Sequence, residues 1–505
     1  MIKIIDCGSQ LTQNIARRIR ELGVFTEIVP FHTSLEDIIS EDLEGVVISG
    51  GQFSVYDENA PLFHREVLEK NIPVLGICFG QQSIAHLLGG KVVPAQNREY
   101  GETMVKLTKE SPLFRHTTPE FRVWMSHGDI VKELPPGFDV VARSQGGHIA
   151  SIQRGKVHAV QFHPEVDHTE YGRRILDNFI RICGAARTWD PEKDYDRIVG
   201  ELKDRLRRKI GVGGISGGVD SSTASVLVKS IAGDNYTPIF VDNGLLRLHE
   251  AEEVRDSLNP FNLNIRYVNA AERFLSKLNG VTNPDEKRRI IGREFIDIFR
   301  EVADGISGVT YLVQGTLYPD VIESVPIYGA SSKIKRHHNV GGLPDDMDLE
   351  VVEPFRNLFK DEVRKIAEHR LDMPREIVWR HPFPGPGLAV RIIGDVTKEK
   401  LEMLRHADYI FIEELKRRDL YYKISQAFAV LTNAHSAGVM GDAASYEGVI
   451  GLKAAVTNDF MTADWYNFDK KDLTGIVNRI VNEVRGVNRV VYDVTQKPPA
   501  TIEWE

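Results

Sequence analysis

Cysteine is scarce in this 505-residue chain: Cys7, Cys78 and Cys183 are the whole complement. They are odd in number and far apart, and no C-x-x-C pair occurs. That excludes a disulfide framework and leaves no zinc signature. Reduced thiols fit the cytoplasm, which is the expected compartment. Long apolar runs are missing too. None approaches the roughly 20 residues a membrane helix needs, and Met1–Asp6 reads as a first strand rather than the apolar core of a signal peptide. No membrane partner is expected. An excess of basic charge is also absent, with 63 Lys and Arg against 72 Asp and Glu and a formal charge of -9. A general nucleic-acid binder needs a basic face, so nucleic acid is not an expected partner. A local basic pocket for a nucleotide stays compatible. What remains is an ordinary globular composition, 42% apolar and 27% charged, on a chain long enough for two to four domains.

Short apolar runs alternate with helical spacing over the first 185 or so residues. Ile2–Ile5, Gly45–Ser49, Ile72–Ile77 and Val157–Phe162 read as strands, with helices over Gln10–Leu22 and Gln81–Leu88. Such alternation predicts a mainly parallel sheet covered on both faces. It breaks at Thr188-Trp189-Asp190-Pro191, then resumes with a helix over Tyr195–Lys209 and strands at Ile210–Ile215, Pro238–Val241, Ile265–Asn269 and Val309–Gln314. A second parallel α/β layer is expected. From Ser324 to Asp348 the pattern lapses into a long polar loop. The stiff His381–Gly387 segment opens a third unit of mixed strands and helices. The expected division is therefore 1–188, 189–381 and 382–505, two α/β domains followed by an α+β domain.

Gly76-Ile77-Cys78-Phe79-Gly80-Gln81-Gln82 joins a buried run to a helix. Small residues two places either side permit the sharp turn that lifts a nucleophile above a sheet. The helix start favours a thiolate through its unused N–H groups. His163, at the end of the Val157–Phe162 strand, can take the thiol proton, and Glu165 can orient the imidazole. A free cysteine taken alone is usually a small core residue; the flanking glycines and His-Pro-Glu argue for chemistry. Ser216-Gly217-Gly218-Val219-Asp220-Ser221-Ser222 is the second constellation. Its glycines let N–H groups approach an anion at a helix start. Serine hydroxyls donate further bonds, and Asp220 can hold magnesium against phosphates. A bare Gly-Gly turn would mean little, but the whole pattern is specific. It differs from G-x-x-x-x-G-K-[ST], which disfavours γ-phosphoryl transfer.

The first motif set resembles the class I glutamine amidotransferases, which hydrolyse glutamine to glutamate and ammonia. The resemblance implies Cys78 as nucleophile, His163 as base and Glu165 as orienting carboxylate. Gln82 would contact glutamine, and Gly50, Gly51 and the Phe79 amide would form the oxyanion hole, where one donor can be worth about 3 kcal/mol. Relatives carry proline where this chain has Gln52, so the turn is less stiff here. The second motif resembles the PP-loop of N-type ATP pyrophosphatases, which cleave between the α- and β-phosphates. Ser216, Gly217, Gly218, Val219, Asp220, Ser221 and Ser222 would then grip ATP, with Val241 and Gly315 beside the nucleotide and Mg2+ on Asp220.

Both motifs in this order resemble the GMP synthase (glutamine-hydrolysing) family from end to end. Val241–Arg247, Gln314–Asp320, His337–Pro344, His381–Gly387 and Lys497–Glu505 carry the likeness. It implies adenylylation of XMP by ATP, then displacement of AMP by ammonia. XMP would meet Arg288, Gln426, Asp442, Lys497 and Glu503. The Ser324–Asp348 stretch, with Lys335, His337 and His338, would form a lid near Lys360 and Asp361. A homodimer through the third unit is implied. Other PP-loop synthetases fit less well: an asparagine synthetase exposes cysteine directly after the initiator methionine, where this chain has Ile2, and a glutamine-dependent NAD synthetase carries a nitrilase-type site. A catalytically dead scaffold would not need both motifs intact.

Overall fold

Strongly apolar runs end up in the middle of their sheets, where both faces are covered. The computed structural model describes residues 1–324, 349–440, 443–457, 460 and 462–505. Two units divide the chain, one built on Met1–Asp190 and the other on Pro191–Val321 with the described part of Lys335–Glu505.

In the first unit a nine-stranded sheet runs in the order Thr26–Pro30, Ile2–Asp6, Gly45–Ile48, Val74–Ile77, Val157–Val160, Ile149–Arg154, Asp139–Ser144, Lys91–Leu107, Glu120–Glu133. Its first five strands are mutually parallel. Gly45–Ile48, Val74–Ile77 and Val157–Val160 are buried at every position. That is the expectation for a strand covered on both faces. Helices Thr12–Glu21, Phe79–Leu87 and Gly172–Cys183 supply the cover. The antiparallel half, dominated by the long Lys91–Leu107 and Glu120–Glu133 pair, extends beyond the alternating pattern in the sequence.

The second unit contains a five-stranded, wholly parallel sheet in the order Arg266–Asn269, Tyr236–Asp242, Ile210–Ile215, Val309–Val313, Glu350–Val352. Ile210–Ile215 lies in its centre, so the Ser-Gly-Gly turn leaves at the carboxyl edge, where open α/β sheets place ligands. A second sheet pairs Gln426–Met440 with Ala443–Val456, and Val487–Tyr492 runs parallel to the latter. One core joins the two sheets. Val212 and Leu312 belong to the same buried cluster as Phe411, Leu415, Ala429 and Ile450.

Charges are buried across that junction as well. Arg247 Nε lies 3.1 Å from Asp408 Oδ2, with the carboxylate almost wholly buried and the guanidinium mostly so. Asp408 Oδ1 accepts the Ala429 N–H at 2.9 Å, while Arg247 reaches the Ala427 carbonyl. Removing one member of a buried pair strands the other charge, at a cost of about 3–5 kcal/mol. Asp408→Ala is therefore expected to lower the denaturation midpoint of the second unit by several degrees. A circular-dichroism melt with an unchanged midpoint would refute the assigned weight of this pair.

Candidate active sites

The turn after Val74–Ile77 forces Cys78 into φ +56°, ψ −108°, a conformation few residues other than glycine adopt. Such backbone strain costs of order 1–3 kcal/mol and collects at functional sites. The neighbouring glycines are steric requirements. A Cβ on Gly80 would stand 2.4 Å from the Ile48 carbonyl oxygen, and one on Gly76 would stand 2.8 Å from Gly80. Helix Phe79–Leu87 begins immediately afterwards, so the Phe79 N–H is among those the helix itself leaves unused.

His163 and Glu165 follow the neighbouring parallel strand. His163 Nδ1 meets Glu165 Oε1 at 2.7 Å, with both side chains almost wholly buried. Thr169 Oγ1 and the Trp124 carbonyl fix the His163 backbone. The Cys78 sulfur lies close enough to the imidazole to raise its pKa. A Cβ added to Gly50 would lie 3.3 Å from His163 Cε1 and 3.6 Å from Cys78 Cβ. The Gly50–Gly51 turn thus shares one small space with Cys78 and His163. Gly51 packs against the Cys7 carbonyl and Phe79, and Gln52 is exposed. Burial presses His163 toward neutrality, yet the Glu165 carboxylate and the Cys78 sulfur outweigh it and raise its pKa well above the ordinary value. Burial pushes the other two thiols, Cys7 and Cys183, up into the neutral form.

Two contacts of the sulfur were not legible beforehand. Gln161 Nε2 donates to Cys78 Sγ at 3.6 Å, and the Ser126 carbonyl stands 3.6 Å from Sγ on another side. Gln82 does not reach the sulfur directly. Its Nε2 donates to the Asp129 carbonyl at 2.8 Å and to Gln161 Oε1 at 3.2 Å.

In the second unit, Ser216–Gly218 forms the loop between strand Ile210–Ile215 and helix Val219–Ala232, with Gly217 at φ +79°. Ser221 Oγ accepts the Ser216 N–H at 3.1 Å and lies 3.0 Å from Ser216 Oγ, which closes the loop into a ring of donors. Gly315 abuts it, since a Cβ there would stand 2.8 Å from Ser221 N. Val241, at the end of the adjacent strand, is buried. Lys360 Nζ lies 3.2 Å from Asp220 Oδ2. Asp220 Oδ1, Ser222 Oγ and Thr316 Oγ1 are buried without a partner. Unpaired buried oxygens around an N–H-rich loop fit a magnesium-bound polyphosphate. Arg380 also belongs here: its NH1 approaches the Gly217 carbonyl at 3.5 Å, while NH2 pairs with Glu250 at 3.1 Å.

The residues expected around XMP divide into groups. Gln426 Nε2 donates to Glu503 Oε1 at 2.7 Å. Arg288 holds the Glu505 carbonyl, and Lys497 Nζ donates to the Phe460 carbonyl at 2.7 Å. The anchor of this tail is Arg391, which is fully buried. It bonds both Glu503 oxygens at 2.7 and 3.0 Å and lies 4.0 Å from the Phe428 ring centre. A lone arginine inside the apolar run Leu388–Ile393 is the one sequence hint of it. Asp361 lies at the start of helix Lys360–His369 beside Lys360. Asp442, Lys335, His337 and His338 lie outside the described residues.

Fold and geometry define a class: a thiol amidotransferase joined on one chain to a nucleotide-binding synthetase. Family models agree, with Glutamine amidotransferase class-I matching residues 3–183 and GMP synthase C terminal domain matching residues 413–504. The chain is 52% identical over 506 residues to GMP synthase (glutamine-hydrolyzing) of Carboxydothermus hydrogenoformans, covering 99% of each chain. It is 50% identical to the proteins of that name from Fusobacterium nucleatum and Aquifex aeolicus, over 509 and 511 residues, covering all of this chain and 99% of theirs. The chain belongs to the GMP synthase family.

Glu165 is the largest upward influence on His163, so removing its charge should lower the His163 pKa. In Glu165→Gln the imidazolium is lost at lower pH, and the alkaline limb of glutamine hydrolysis is expected to move toward acid. A pH profile of kcat/KM checks this; an unmoved alkaline limb would remove Glu165 from the centre.

Proposed function

We propose that this chain makes GMP from XMP, ATP and L-glutamine by two linked reactions. The reading rests on one observation: a thiol–imidazole–carboxylate centre and a Ser-Gly-Gly-Val-Asp-Ser loop occur on a single chain that aligns end to end with glutamine-hydrolysing GMP synthases.

At the first centre the Cys78 thiolate attacks the glutamine side-chain carbon. The oxyanion that forms is met by the Phe79 amide and the Gly50–Gly51 turn. His163 delivers a proton to the departing ammonia, then takes one from the water that cleaves the thioester, while Glu165 holds the ring. At the second centre Ser216, Gly217, Gly218, Val219, Ser221 and Ser222 surround the ATP phosphates, with Val241 and Gly315 beside the nucleotide. Oxygen 2 of XMP attacks the α-phosphorus and pyrophosphate leaves. Ammonia then adds at C2 and AMP departs with the oxygen. Lys360 would face the pyrophosphate charge as it grows, and Asp220, whose Oδ1 is buried without a partner, would hold Mg2+, which would supply positive charge against it. Arg288, Gln426, Asp442, Lys497 and Glu503 bind XMP. Lys335, His337, His338 and Asp361 belong to the lid over the adenylate.

The functional division follows residues 1–188, 189–381 and 382–505. A homodimer through the third part is supported by exposed apolar side chains on the two strands of its long hairpin, where Val439 and Tyr446 are 79% and 73% exposed. No described helix is long and apolar enough to cross a membrane; the cytoplasm is the proposed compartment.

Cys78→Ala is expected to lose GMP formation from glutamine by at least about 10³-fold while keeping synthesis from added ammonium. Equal survival of both activities would overturn the assignment. Asp220→Ala should instead abolish GMP formation from either nitrogen donor, measured as AMP and GMP release. Retention of the ammonium-driven rate would exclude Asp220 from the nucleotide site.

A further inference from the structure

Pairing of Glu120–Glu133 with Lys91–Leu107 fails beside the thiol. Pro94 faces Asp129 and the next matched pair is Glu99 with His127, so residues 95–98 stand opposite Gly128 alone. The segment that loses its regular partner is the one whose Ser126 and Asp129 carbonyls face the thiol centre. Side chains take over from the backbone ladder. His127, 4% exposed, places Nδ1 3.0 Å from the Asp129 carbonyl and Nε2 3.2 Å from Glu99 Oε2. Ser144 Oγ donates to Glu99 Oε1 at 2.7 Å.

These contacts join those of the thiol into one chain. A carbonyl oxygen only accepts, so His127 Nδ1 carries a proton toward Asp129 O. The same oxygen accepts from Gln82 Nε2, which also donates to Gln161 Oε1. With its oxygen occupied by a donor, Gln161 must turn its NH2 group toward Cys78 Sγ, as observed at 3.6 Å. A reversed amide would set Gln161 NH2 against Gln82 NH2. Ser144 and Glu99 thus connect through His127, the Asp129 carbonyl and Gln82 to the donor that faces the sulfur. Although burial works against its charge, hydrogen bonds from His127 and Ser144 hold the Glu99 carboxyl below the usual range. The anchor at the far end is therefore a carboxylate. A Cβ on Gly146 would come within 2.6 Å of Glu99 Oε1, so the turn that follows Ser144 also closes on it.

We propose that Glu99 and His127 are positioning residues for glutamine hydrolysis, acting on Cys78 through Gln82 and Gln161. The inference rests on the reading of Cys78 as the glutaminase nucleophile. It adds a function for a part of the first unit that touches no reacting atom.

The test uses the full chain and compares Glu99→Ala, Glu99→Gln and Gln161→Ala with the parent. Glutamine-driven rates are divided by the ammonium-driven rate of the same preparation, which corrects for active enzyme. Misplacement of a reacting group by about 1 Å costs up to 10²-fold, so Glu99→Ala is expected to lower normalised kcat about tenfold or more. KM should move less than about threefold, since the chain faces the sulfur rather than the bulk of the substrate. Iodoacetamide labelling, read on the Cys78 peptide, should slow in parallel. Glu99→Gln keeps an acceptor oxygen and should recover most of the loss. Glu99→Ala combined with Gln161→Ala should lose no more than about twofold beyond the larger single loss, because both act along one path. Full additivity, or a normalised kcat within about twofold of the parent, overturns the proposal. If Glu99→Ala does not accumulate folded, Ser144→Ala tests the same anchor by removing one hydroxyl, and an unchanged labelling rate there is equally fatal. Failure of the underlying reading looks different: the parent chain itself would release no glutamate, or Cys78→Ala would still do so.

Discussion

Glu165 is 1% exposed and has one carboxylate oxygen on His163 and the other without a partner. An isolated ion in such a place would cost many kcal/mol; here the charge is tolerated because the imidazole beside it is held protonated. The dependence runs further. Against the burial that opposes it, Glu165 first and the Cys78 sulfur second raise the His163 pKa, so the thiol centre is a three-body arrangement. Its sign is definite. A histidine whose folded pKa lies above its unfolded value near 6.5 contributes stability that is complete below that value. The contribution is lost as pH rises through the folded pKa. The pair therefore holds the first unit more tightly at pH values below the raised His163 pKa than above it.

The second unit repeats the theme with larger partners. Arg391, fully buried between aromatic rings, takes both oxygens of Glu503. Lys287, also fully buried, bonds the Ala389 and Ile392 carbonyls and Glu505 Oε2 at 2.6 Å. These cations hold the Glu503–Glu505 tail against Gln426 and helix Pro284–Asp304, which carries Arg288, so three of the XMP-binding candidates are brought together. A flexible tail would have to be ordered by substrate at a cost in affinity. Here that ordering is done by the fold. Planarity matters too: the fork of Arg391 meets two oxygens at once, which a lysine at that position could not reproduce.

Legibility in the sequence follows the range of the interaction. The Gly-x-Cys-x-Gly turn could be read because its demands are local: glycine is required where a Cβ would meet Ile48 or the next turn of backbone. The parallel strands could be read because burial on both faces leaves an unbroken apolar run, and the sheet order then carries Cys78 and His163 to adjacent strand ends. Gln161 cannot be read as a sulfur contact although it sits two residues before His163, because nothing in Val-Gln-Phe-His tells which polar side chain turns toward a sulfur. Arg391 meets Glu503 across 112 residues and Lys360 meets Asp220 across 140. Pairings at such separation depend on how sheets and helices pack, and charge pattern along the chain carries no trace of them. The four-residue irregularity before Glu99 was hidden for the same reason, since register belongs to two strands at once.

The phosphate loop shows what such long-range pairing does for a reactive site. Lys360 satisfies one oxygen of Asp220, while the second oxygen, with Ser222 and Thr316, is buried and unpaired. Each such group costs about 1–3 kcal/mol relative to a bonded one, so the folded loop carries a deficit of polar contacts concentrated at one edge of the sheet. On the proposed reading, a polyphosphate would supply acceptors for the hydroxyls and a cation held by Asp220 would supply positive charge for its carboxylate, and together they would remove the deficit. Binding energy obtained this way depends on charge and coordination rather than on apolar area, and it grows where charge accumulates. Pyrophosphate acquires its full charge only as the α–β bond breaks. On the proposed reading, the Ser222 and Thr316 hydroxyls would donate most strongly at that stage, which is the requirement for a site that accelerates the step instead of only holding ATP.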